Sequence, residues 1–174
     1  CSPSIRPGAF RKALQAGTDS NPMTRNRLKE FHDYLDNPSS ELQMMRQRAA
    51  GTALPPSGMT GQVDRFFREE FPKFPEKCQI GIEGVVPLSV LYTSGLKYWI
   101  FCGTNLGSQE VFTSYLEVLD ERDWAVQGPL FDPERKAGIM TSFDGEWALE
   151  IVVSLSDDGK YMTHVLWRLE KIGN

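Results

Sequence analysis

Two spacings of hydrophobic positions divide the chain. Up to about residue 76, apolar residues recur at helical intervals in short runs separated by breakers. Ala9 to Gln15 is one run, set between Pro7-Gly8 and Gly17. In the next, Asn21 suits a cap and Pro22 a first helical position, and Leu28, Phe31, His32 and Leu35 share a stripe up to Asn37-Pro38. Ser39 or Ser40 opens a third run with Leu42, Met45 and Ala49 inward, closed by Gly51. A Pro- and Gly-bearing linker covers about 52–61, and a fourth helix from about Gln62 carries Val63, Phe66, Phe67 and Phe71 to a stop at Pro72 and Pro75. These stripes are narrow and share no evident core of their own.

From Cys78 the period shortens to two. Gly84 to Tyr92 and Leu96 to Cys102 read as strands around a Ser94-Gly95 turn, and Pro87 makes the first an edge or bulged strand. A loop at Gly103 to Ser108 feeds a helix with Val111, Phe112, Tyr115, Leu116 and Leu119 on one face, for which Ser108 is the expected cap. Trp124-Ala125-Val126 begins an extended piece, and Gly128 to Gly138, with Pro129 and Pro133, is expected to be a loop. Ile139 to Phe143 is a strand, and Asp144-Gly145 is the strongest hairpin signal in the chain. In the strand that follows, Trp147, Leu149, Ile151, Val153 and Leu155 point one way, toward the helix. Tyr161 to Leu169 is the last strand. The expected fold class is α+β: an antiparallel twisted sheet in the order β-β-α-β-β-β with one packed helix. On this reading 1–76 is a helical and extended N-terminal arm and 77–174 the α+β domain.

Composition narrows the function classes. The chain has 174 residues and a net charge of −4, with 40% apolar and 24% charged residues, ordinary for one globular domain with an arm. The charge is uneven. Residues 1–76 carry 11 Lys/Arg against 9 Asp/Glu, and 77–174 carry 8 against 14. An acidic body argues against nucleic acid, because phosphate neutralisation needs clustered cations. Apolar runs such as Tyr98-Trp99-Ile100-Phe101-Cys102 have strand length, so no segment reads as a membrane-spanning helix.

The sequence starts Cys1-Ser2-Pro3-Ser4, which resembles the mature end of a bacterial lipoprotein. The resemblance implies export, a covalent lipid on Cys1 and a membrane-anchored position on the periplasmic or extracytoplasmic side. With Cys1 acylated, Cys78 and Cys102 remain. They read either as a disulfide linking the ends of the first two strands or as two buried thiols.

Catalytic signals are sparse. His32 sits on a helical run without HExxH spacing, and His164 lies in the last strand without a GxSxG elbow; both read as structural or surface residues. Ser94-Gly95-Leu96-Lys97 matches SxxK but at a turn, where that chemistry cannot run. No Cys/His spacing suits a metal, and neither metal nor other cofactor is expected beyond the lipid. Both faces of the Leu96–Cys102 strand are apolar, so Trp99 and Phe101 need a second cover. Phe66, Phe67 and Phe71 of the arm are one candidate cover, and a partner protein is the other. The expectation is therefore a non-catalytic, lipid-anchored accessory or structural subunit, not an enzyme, docking on the soluble face of a membrane protein complex. The alternative is a free-standing exported binding module for a small ligand or peptide; a hydrolase using His164 or a carboxylate pair ranks third.

Overall fold

A computed structural model describes residues 22–50, 69, 75, 78–93, 97–156 and 159–172. Cys1, Phe66, Phe67 and Phe71 lie outside them. Nine elements follow in chain order: α1 (Pro22–Asp36), α2 (Ser40–Ala50), β1 (Val85–Thr93), β2 (Lys97–Thr104), α3 (Ser108–Glu121), β3 (Ala125–Asp132), β4 (Ala137–Phe143), β5 (Trp147–Leu155) and β6 (Thr163–Lys171). The strands form one six-stranded antiparallel sheet in the order β1-β2-β6-β5-β4-β3. The α+β class and the antiparallel sheet are as the sequence pattern predicts.

One strand was not foreseen. The segment expected to be a loop from Gly128 runs on as β3, because the register shifts between Gln127 and Leu130. Gly128, at φ 47°, supplies a bulge that absorbs the Gly-Pro pair and lets Leu130 to Asp132 pair with β4. The element order is therefore β-β-α-β-β-β-β. The outer strands β1 and β3 are the edges. Each carries a proline at an irregularity, the usual way to blunt an exposed ladder.

The sheet buries both of its faces. On one, α3 packs Val111, Phe112, Tyr115, Leu116 and Leu119 against Ile100, Cys102, Trp147, Leu149, Ile151, Val153, Val165, Trp167 and Leu169. The alternation in β5 lands as expected for Trp147, Leu149, Ile151 and Val153, which face α3. Leu155, expected on the same face, instead lies exposed at the strand end beyond the cover of the helix. Inside this core Trp167 Nε1 donates to Tyr115 Oη at 3.1 Å, with the rings edge to face. Gly138 allows α3 to come this close, because a Cβ there would stand 2.7 Å from the Phe112 ring.

The ends of α3 differ from expectation at one terminus. Gly107, not Ser108, takes the cap position, with no side-chain cap. The other end closes through a left-handed Asp123 (φ 59°): Trp124 N donates to Leu119 O and Asp123 N to Asp120 O. That is a Schellman closure, and its usual apolar contact is made by Trp124 and Leu119, both in the core.

The opposite face carries α1 and α2. Phe31 from α1 with Leu42 and Met45 from α2 cover Phe101, Leu130, Ala137, Val152 and Leu166. The bulge between Pro87 and Ser89 turns Leu88 into this second core and lets Ser89 Oγ donate to Met45 O. Among the described residues no helix is long and apolar enough to cross a membrane.

Candidate functional site

Helix α1 lies along β3 and is fastened to it by polar contacts in chain order. Arg27 donates to Gly128 O through Nη2, His32 Nε2 meets Asp132 Oδ2 at 2.5 Å, and Arg135 Nη2 reaches Asp36 Oδ1 at 2.7 Å. His32 and Asp36 stand one turn apart on one flank of α1 and Arg27 on the other, while Phe31 and Leu35 between them turn to the sheet. This seam organises the polar side chains of the molecule.

Its centre is the His32–Asp132 pair. Asp132 is the last residue of β3, and its side chain is 3% exposed against 32% for His32. Asp132 Oδ1 also accepts from Glu134 N at 3.0 Å, so the carboxylate closes the β3–β4 turn and holds α1 at once. The outer pair is weaker. Arg135 and Asp36 are both exposed, and solvent screens such bridges so that they add little to stability. The Arg135 guanidinium hydrogen-bonded to Asp36 nevertheless holds its carboxyl below the usual range.

Two clefts open on the flanks of α1. One, of about 250 Å³, lies between Arg27, Glu30, Phe31 and Tyr34 of the helix and Gln127, Gly128, Leu130, Ile139, Thr141 and Glu150 of the sheet. Burial pushes the Tyr34 phenol up, and the Glu150 carboxylate adds to the shift against Arg168 and Arg46. Arg168 meets Glu150 at 3.3 Å on the same face. The other cleft, of about 510 Å³, is lined among the described residues by Leu35, Arg46, Glu134, Arg135, Ala137, Ser154, Leu155, Ser156 and His164. The His164 ring is 7% exposed and packs 4.7 Å from the Phe101 ring, centroid to centroid.

The candidates singled out by sequence separate here. Phe101 is 1% exposed beneath α1 and α2, so it serves the core and not a partner surface. Trp99 is half-buried at the margin of the same cluster, with the Lys97 ammonium 4.9 Å from its ring centroid. Among the described residues, Phe31, Leu42 and Met45 cover this aromatic face. Cys78 and Cys102 are buried free thiols in the α3-side core, and burial pushes Cys102 up to about 12, far from nucleophilic use. His164 lines the larger cleft, whereas His32 lines neither and sits in the seam on Asp132. Among the described residues no cluster of three or more His, Cys, Asp or Glu is arranged to hold a metal ion.

One surface feature was missed by the sequence reading. Val86, Gly103, His164 and Ser154 form a single row across β1, β2, β6 and β5. At that end of the sheet Val86 is 46% exposed, Leu155 48% and Met162 53%. Tyr161 lies against Gly103, where a Cβ would stand 2.6 Å from its ring. Periodicity could not find this patch, because its members sit at strand ends and in the β5–β6 turn.

No protein family, curated protein or solved structure matches the chain.

Proposed function

We propose that the chain is a non-catalytic accessory subunit that docks onto a protein partner through the end of the sheet carrying Val86, Leu155 and Met162. That exposed apolar group is the observation that carries the reading. Soluble surfaces scatter single apolar side chains freely, but three large ones exposed at the same end of one sheet, spread from β1 to β5, favour a contact there. The patch belongs to the acidic part of the chain, residues 77–174 with 8 Lys/Arg against 14 Asp/Glu, which favours a partner with a basic rim. Three ion pairs among the described residues fit the same role. His32–Asp132, Arg135–Asp36 and Arg168–Glu150 each join one element to another.

A photo-crosslinking amino acid at Met162, in the chain expressed in its native cells, tests this directly. The expected result is one discrete adduct with a protein of fixed mass, absent when the same group replaces Thr113 on the outer face of α3. Val86→Asp combined with Leu155→Asp should abolish that adduct while the thermal midpoint stays put. A monomeric chain that yields no adduct from Met162 overturns the reading.

A further inference from the structure

The larger cleft beside α1, which shares Leu155 with the docking end of the sheet, has the chemistry of a binding site. Arg46 of α2 lines it, half-buried; among the described residues its field acts on the Tyr34 phenol, and no carboxylate pairs with its guanidinium. Ser154 lines the same cleft from β5, and its hydroxyl too is unengaged among the described residues. Arg135 is the other cation there, but Asp36 occupies its fork with contacts of 2.7 and 3.4 Å. The lining also carries apolar side chains, Leu35, Ala137 and Leu155, the last next to Ser154 in the chain. We propose that this cleft binds a small organic monocarboxylate, its head group on the Arg46 guanidinium and Ser154 hydroxyl and its hydrocarbon part on Leu35, Ala137 and Leu155.

Each part of that assignment has a physical reason. A guanidinium presents a planar fork that matches a carboxylate in two parallel hydrogen bonds, and an adjacent hydroxyl donates a third. Charge selects the monoanion. With Arg135 satisfied, Arg46 is the one uncommitted cation among the described lining residues, and Glu134 stands exposed at the mouth. A dianionic phosphate would bring a second negative charge next to Glu134 with nothing to meet it. Size agrees as well. A cleft of about 510 Å³ lies within the range of small-molecule sites. The half-exposed Leu155 gives a hydrocarbon chain somewhere to lie that is otherwise wet.

The test is calorimetric titration of the full chain with octanoate, with octanol and inorganic phosphate as comparison probes. Amide shifts in a nitrogen-15 spectrum would locate binding. Octanoate should bind saturably and shift the amides of Ser154 and Leu155, and octanol and phosphate should bind at least about tenfold more weakly, the worth of one charge-assisted contact. Arg46→Met should weaken octanoate by about tenfold or more, and Ser154→Ala by about threefold. Should Arg46→Met lower the thermal midpoint, Arg46→Lys decides instead: it keeps the charge, loses the fork and should bind with intermediate affinity. Four results would overturn the assignment: no saturable octanoate binding at millimolar concentration, equal binding of octanol, tighter binding of phosphate, or full affinity in the Arg46 and Ser154 variants.

Discussion

Replacing His32 with alanine should destabilise the protein by about 2 kcal/mol through the carboxylate it leaves behind. Asp132 is 3% exposed and has two contacts, Glu134 N on Oδ1 at 3.0 Å and His32 Nε2 on Oδ2 at 2.5 Å. Without the imidazole, Oδ2 faces the α1–β3 seam with no donor. Breaking a fully buried ion pair from one side costs about 3–5 kcal/mol. His32 is a third exposed, so water reaches the vacated position and the cost falls toward the lower end of the range for an unpaired polar group. Asp132→Asn should cost less, about 1 kcal/mol, because the amide oxygen keeps the Glu134 contact and no buried charge remains. In the Asp132→Asn background, removing His32 strands nothing charged. The two changes should therefore couple by about 1 kcal/mol or more in a double-mutant cycle. Urea unfolding of the four proteins, followed by tryptophan fluorescence, measures this, with the slope m unchanged across the set. Additivity within about 0.3 kcal/mol would refute the argument, since it would mean that His32 and Asp132 do not share an interaction in solution.

Four further outcomes follow from particular contacts. Phe31→Ala should cost about 3–5 kcal/mol and strip hydrogen-exchange protection from α1 before α3, because Phe31 is the aromatic that α1 sends into the second core. Asp123→Gly should stabilise by about 0.5–1 kcal/mol in the same urea assay, since glycine takes the left-handed conformation at φ 59° without a Cβ penalty. Gly138→Ala should destabilise measurably in thermal unfolding, because the methyl would meet the Phe112 and Phe131 rings at 2.7 and 2.8 Å. Burial holds Cys102 as a thiol up to about 12, while the unfolded chain ionises it near the ordinary 9.0. Between those values the folded state holds the extra proton, so stability falls as pH rises, by up to about 4 kcal/mol from this group. Cys102→Ala should flatten that slope, and an unchanged slope would show that the pH dependence arises elsewhere; the raised phenol of Tyr115 acts in the same direction in both proteins.

The sheet was legible where one period held without interruption. In β5 every second side chain from Trp147 to Val153 is apolar and meets α3, so the strand's face and its partner helix could both be named from sequence. In β3 the period breaks at Gly128-Pro129. A Gly-Pro pair reads as a turn, and only the pairing of Leu130 to Asp132 with β4 reveals a bulge. The long contacts left no trace in spacing. His32 and Asp132 are 100 residues apart, and Arg46 and Ser154 share a cleft without touching any motif.

The second core shows how far local pattern reaches. The apolar residues on both faces of β2 require two covers, and that requirement came from sequence alone. Which segment supplies the second cover did not. Phe66, Phe67 and Phe71 form the richest apolar stripe before the sheet, whereas α1 and α2 offer only a few large apolar residues each. Yet a helix laid on a sheet needs no wide stripe of its own, because the sheet provides most of the buried surface. Among the described residues Phe31, Leu42 and Met45 cover Phe101, Val152 and Leu166, and the remaining length of α1 carries polar residues. Those polar residues bind the helix to β3 and leave clefts on both of its flanks. The narrow stripe is thus the reason a candidate site exists on this face: a wider one would have closed the cleft that Arg46 and Ser154 both line.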